Sequence, residues 1–146
     1  MTPTLRQEHM RLLARAPAER LQAVLDELET QPAFSFLKEP EVTSIMVEGR
    51  AGGTGGAFNL GEATVTRCVI ELSASKSQGF AYALGRDKQH AEQSALLEAL
   101  FQLPDHASLR ETFVTSETAL QDEDVERRRK QAAATKVDFF TMVRGD

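Results

Sequence analysis

The sequence predicts an α+β domain: a small antiparallel sheet of three to four strands, between about Phe34 and Leu84, covered by helices from both ends of the chain. Three observations carry this. Apolar positions recur at helical spacing before Thr30 and again after Asp87, and the stretch between them alternates with period two. The 146 residues, 41% of them hydrophobic, suffice for one core and not for two, so a single domain spans residues 1–146.

Leu5, Leu12, Leu13 and Ala16, then Leu21, Val24, Leu25 and Leu28, mark two short N-terminal helices. Pro17 suits the first turn of the second, where its missing N–H loses nothing, and marks the junction. Thr30-Gln31-Pro32 ends the pattern. Phe34, Phe36, Val42, Ile45, Met46 and Val47 then read as extended chain interrupted by Pro40. From Arg50 to Glu62 the cluster Gly52-Gly53-Thr54-Gly55-Gly56, with Gly61 behind it, reads as a loop. The next strand, Thr64 to Leu72, puts Thr66, Cys68, Ile70 and Leu72 on one face and Val65, Arg67, Val69 and Glu71 on the other, which places Cys68 in the core. A polar turn from Ser73 to Gly79 leads to Phe80, Tyr82 and Leu84 alternating with Ala81 and Ala83, the second strand of a hairpin.

Near Gly85 the period changes from two to 3.6. Leu96, Leu97, Leu100, Phe101 and Leu103 form the stripe of a helix that stops at Pro104 and has Asp87 as its N-cap. Ser108 to Thr118 leaves its secondary structure open. Beyond it Asp122, Glu123 and Asp124 precede Arg127, Arg128, Arg129 and Lys130, the order a helix dipole favours. The pairs Glu123–Arg127, Asp124–Arg128 and Glu126–Lys130 are four apart and predict ion pairs along a helix. With little apolar face of its own, that helix is expected in solvent or against a partner.

The net charge of −5 and pI near 5.3 argue against a general nucleic-acid binder, which needs an excess of Lys and Arg to neutralise phosphates. One cysteine permits neither an internal disulfide nor a thiolate metal cage, and His9 and His106 lack ligand neighbours, so no metal is expected. The first residues lack the apolar stretch of a signal peptide, and no apolar run approaches the roughly 20 residues that span a bilayer. A cytoplasmic protein without a membrane role is expected. No serine sits in a nucleophile-elbow pattern, and no catalytic residue emerges.

Three places remain for binding. In the glycine loop, Gly52, Gly53 and Gly55 let backbone N–H groups approach a phosphate or sugar, with Thr54 adding a hydroxyl and Arg50 a charge; the alternative is a plain connection between strands. It is not a Walker loop. At the strand-to-helix junction, Arg86, Lys88, Gln89 and His90 surround a helix N-terminus suited to an anion. Against this, Asp87 at the cap takes up those donors, Glu92 adds negative charge, and a lone histidine is more often a hydrogen-bonded structural one. The third is the apolar ending, Val137, Asp138, Phe139, Phe140, Met142, Val143 and Arg144, which wants a surface, either this domain's own core or another chain. Asp138 and Arg144 read as an ion pair or backbone contacts orienting that segment.

The strings GGTGGAFNLGEATVTR (Gly52 to Arg67), GRDKQHAE (Gly85 to Glu92) and VDFFTMVRGD (Val137 to Asp146), in this order and in a chain of this size, resemble the PhnG family, the small subunit of the bacterial carbon-phosphorus lyase core complex. The resemblance spans nearly the whole chain except Met1 to about Glu41. It implies an assembly with PhnH, PhnI and PhnJ, and with PhnL, in phosphonate catabolism. There ATP is co-substrate: the phosphonate oxygen displaces adenine at the ribose anomeric carbon, and methylphosphonate gives alpha-D-ribose 1-methylphosphonate 5-triphosphate. PhnJ, a radical SAM protein, later breaks the carbon-phosphorus bond. The resemblance further implies that PhnI is the nucleosidase-like component and this chain its accessory, an enzyme subunit that binds no cofactor and is not catalytic when isolated. Alternatives are an independent nucleotide- or phosphate-binding module and a purely structural spacer.

Overall fold

The computed structural model describes residues 2–137. Helix α1 (Leu5–Arg15) starts at Thr4, whose hydroxyl accepts the Gln7 amide at 3.2 Å while the Gln7 side chain accepts the Thr4 amide at 2.8 Å. This reciprocal cap satisfies two donors that a first helical turn leaves free. Helix α2 (Ala18–Asp26) follows, with Pro17 as its cap, one position ahead of the first turn. Leu12, Leu13, Leu21 and Leu25 turn inward from the pair.

Strands β1 (Phe34–Arg50), β2 (Ala57–Leu72) and β3 (Gln78–Leu84) form one antiparallel sheet in the order β1-β2-β3. Two sequence expectations need correction. Pro40 does not interrupt β1; it falls in the irregular stretch between Lys38 and Glu41 of an edge strand, where a missing donor is tolerated. The loop expected from Arg50 to Glu62 shrinks to residues 51–56, because Ala57 to Glu62 pairs with β1: Met46 faces Glu62, Val47 faces Gly61 and Arg50 faces Ala57. Cross-strand pairing overrides the weak strand preference of Asn59 and Gly61. The result is a two-stranded ribbon that projects beyond β3.

The inner face of β2 carries Thr66, Cys68, Ile70 and Leu72, all buried as the alternation predicts; Val65, from the other face, is buried too. β3 turns Gly79, Ala81 and Ala83 inward and leaves Phe80, Tyr82 and Leu84 exposed. Small residues face the core for a reason. Helix α3 (Lys88–Phe101) crosses so near that a Cβ at Gly79 would lie 1.9 Å from the Ala95 carbonyl oxygen, an approach open only to glycine. From His90 to Phe101 all of α3 except Glu92 is buried, and fully burying Leu97 and Leu100 stabilises the fold by about 2 kcal/mol each. The Asp87 side chain accepts the His90 amide at 3.0 Å, as a cap should.

After a 3-10 turn at Pro104–His106, helix α4 runs unbroken over Ala107–Ala134, so the stretch left open at Ser108 to Thr118 is helical. Of the three expected ion pairs Asp124–Arg128 forms, while Arg127 and Glu126 each take a partner three residues away instead of four. Asp124 holds Arg128 at 2.8 Å and also Arg127, while Glu126 holds Arg129 at 2.9 Å instead of Lys130. The ending from Asp138 to Arg144 lies outside the described residues; Val137 is exposed.

Two buried carboxylates fasten the N-terminal helices to the C-terminal ones. Glu98 on α3 receives Arg6 of α1 through Nε at 2.6 Å and Nη2 at 3.1 Å; Glu117 on α4 receives Arg20 of α2 through Nη2 at 2.6 Å and Nε at 2.9 Å. Both carboxylates are fully enclosed, and such two-bond forks are the strong form of ion pair. Replacing Arg20 by Ala strands Glu117 without its cation. The expected loss in a urea melt is about 2–3 kcal/mol, below the roughly 3–5 of a wholly buried pair because the arginine side chain keeps 40% of its exposure. The double change Arg20→Met with Glu117→Leu is expected to recover most of that loss.

Candidate functional site

The glycine cluster forms the tip of the projecting ribbon. Ala51–Gly53 make one 3-10 turn in which Gly52 and Gly53 have φ of 62° and 79°, a left-handed pair that side chains resist. The Gly55 amide then donates to the Ala51 carbonyl at 2.9 Å, and a Cβ on Gly55 would lie 2.8 Å from that oxygen. Turn geometry thus accounts for these three glycines. Arg50 and Thr54 flank the tip in solvent.

The junction between β3 and α3 is held by its own backbone. Gly85, at φ 102°, donates its amide to the Thr64 carbonyl at 2.9 Å and accepts the Thr66 hydroxyl at 2.7 Å. Arg86 follows in the exposed turn. The three helical residues behind it diverge. Lys88 lies beside the irregular stretch of β1, in a recess it shares with Lys38, Glu39 and Glu41. Gln89 lies toward α2, beside Gln22 and Asp26. His90 is 8% exposed, and its Nε2 lies 2.8 Å from the Ala16 carbonyl oxygen, tying α3 to the end of α1. That bond fits the structural alternative for His90.

The tip and the junction are not brought together. β2 runs from Ala57 to Val65 before it meets the end of β3, roughly 25 Å of chain at about 3.3 Å per residue. Around Lys88 the charges are mixed. Lys38 at 3.3 Å and Arg67 at 2.9 Å both hold Glu41, and hydrogen bonds from Arg67 and then Lys38 keep its carboxyl below the usual range. Among the described residues no group of three or more His, Cys, Asp or Glu side chains is placed to hold a metal ion, and no helix is long and apolar enough to cross a membrane.

The family model described as phosphonate metabolism protein PhnG matches residues 4–145. The chain belongs to the PhnG family. A curated relative, the alpha-D-ribose 1-methylphosphonate 5-triphosphate synthase subunit PhnG of Rhizobium meliloti (strain 1021), is 42% identical over 141 residues, covering 97% of this chain and 90% of the relative.

In this PhnG family member the four residues of the buried forks, Arg6, Glu98, Arg20 and Glu117, escape sequence reasoning, although Glu98 between Leu97 and Ala99 is a visible signal: a carboxylate inside an apolar helix needs a partner. Two other groups with chemical potential are tied up in the fold. Burial pushes the pKa of the His9 imidazole down, Arg110 adds to this, and the ring packs edge-on to Phe101 at 6.1 Å. Burial pushes the Cys68 thiol up to about 11 from 9.0, with Glu92 acting in the same direction. At pH 8 that shift lowers the thiolate fraction about a hundredfold. Iodoacetamide is therefore expected to label Cys68 at least about a hundredfold more slowly in the native chain than in urea; equal rates would mark it as an accessible nucleophile.

Proposed function

We propose that this chain is an accessory subunit of alpha-D-ribose 1-methylphosphonate 5-triphosphate synthase, acting in phosphonate catabolism with PhnI, PhnH and PhnL to convert ATP and methylphosphonate, and held in one core assembly with PhnJ. The observation that carries the reading is family membership over residues 4–145, with 42% identity to a curated synthase subunit. The chemistry of these side chains agrees with an accessory role. Displacing a purine needs an acid for the leaving base, cations for the triphosphate and an aligned nucleophile. His9, His90 and Cys68 are each buried in structural roles, and we assign this chain a cationic and positional contribution.

The exposed cations Arg86 and Lys88 at the head of α3, and the ribbon tip with Arg50, Gly52, Gly53, Thr54 and Gly55, are the surfaces we assign to a site completed by PhnI. Residues 137–144 we assign to anchoring. ATP is the co-substrate of the assembly and not a resident of this chain.

Reconstitution tests this. Adenine release from ATP and methylphosphonate by the partner subunits is expected to require this chain. The double change Arg86→Ala with Lys88→Ala is expected to lower kcat/KM about tenfold or more with the melting curve unchanged, because both side chains stand in solvent. Full activity of the partners without this chain would overturn the reading. Tight ATP binding by the isolated chain would favour an independent module instead.

A further inference from the structure

One groove is lined by neither the ribbon tip nor Lys88. Its first half runs between α1 and β3, its second between the end of α1 and α4, and Ala14, Arg15 and Leu84 line both. The second half alone encloses about 790 Å³. The first half is mainly apolar, and the second mixes apolar with polar residues. Leu84 is 78% exposed, and Tyr82 beside it and Leu120 and Val125 across from it are also among the exposed large apolar residues. Large apolar side chains left exposed along one groove are what an interaction site presents.

The rim is basic. Arg11 and Arg15 come from α1, Arg20 from α2, and Arg127 and Arg128 from α4, so five of the chain's 17 Lys and Arg line one groove of a protein whose net charge is −5. The acidic side chains there do not balance them. Asp124 is shared between Arg127 and Arg128, and Glu123 is the other carboxylate on the rim; Arg20 serves Glu117 beneath it. A free anion would have no use for the exposed Leu84, Leu120 and Val125. A nucleic acid would meet a chain of its own sign.

We infer that this groove seats an acidic amphipathic segment of a partner subunit, its apolar side chains on Leu84, Leu120 and Val125 and its Asp and Glu residues against Arg15, Arg127 and Arg128. An apolar centre with a charged rim is how specific interfaces divide affinity from selectivity. The inference rests on the reading that the chain works inside an assembly.

The test is photo-crosslinking in the co-expressed assembly, with p-benzoylphenylalanine at position 84, where the exposed side chain leaves the fold undisturbed. The expected adduct is on another synthase subunit, in a peptide rich in Asp and Glu. Alongside it, the double change Arg15→Glu with Arg128→Glu is expected to weaken assembly by about tenfold or more at low salt and to flatten its salt dependence, with the melting curve unchanged. An adduct on residues 138–146 of this chain, on a second copy, or on a neutral or basic peptide overturns the proposal, as does an intact assembly with no adduct. Those results leave the accessory role standing. Failure of the unmodified chain to assemble at all overturns both.

Discussion

The carboxylate of Glu98, fully enclosed in the last turn of α3, is the constraint around which the domain is arranged. An isolated charge there would be prohibitive, so it has to be met by donors from every side. Arg6 meets it from α1, the Gln102 side chain from the end of its own helix, and the Phe80 amide at 2.9 Å from the free edge of β3. The same Arg6 also donates to the Gln78 carbonyl at 3.1 Å and lies over the Phe80 ring at 5.3 Å. One junction therefore satisfies the buried charge, covers part of a sheet edge that would otherwise invite pairing, and fixes α1 beside β3. The second fork, Arg20 with Glu117, repeats the device between α2 and α4.

With the helices fastened in this way the body closes on itself, and two elements extend from it. β2 passes the end of β3 at Val65 and continues into the ribbon; α4 passes Leu84 near Leu120 and Val125 and continues to Ala134 with its last turns in solvent. The groove lies between the body and that departing helix. Helix α4 has little apolar surface to bury beyond Phe113, and its distal turns are held by Asp124 and Glu126 pairing along the surface, where each pair is worth a few tenths of a kcal/mol. A helix with so little reason of its own to extend this far belongs to a chain finished by neighbours, and the synthase subunit reading gives it some.

Much of this was legible from residue patterns alone. The change of period at Gly85, the cap at Asp87 and the inward face of Cys68, Ile70 and Leu72 all follow from local rules and hold in the structure. The forks join residues 92 and 97 positions apart, which no periodicity reveals. Glu117 hid the first half of α4 because a buried carboxylate occupies the place in the stripe where an apolar residue would have declared the helix. Gly61 and Asn59 hid the ribbon, since their pairing with β1 is decided by the partner strand and not by their own preference. The junction looked like one cluster in sequence, yet Lys88, Gln89 and His90 are consecutive on a helix that turns about 100° per residue, and consecutive side chains there fan apart.

The claim that a self-closed body carries surfaces awaiting partners is tested most directly by hydrogen exchange of the free chain against the chain in its assembly. The account predicts that α1, α3 and the Phe80 amide are protected equally in both, while the ribbon and the segment around Leu84 gain protection only on assembly. Rapid exchange of α1 and Phe80 in the free chain, with protection arriving only alongside the partners, would contradict it.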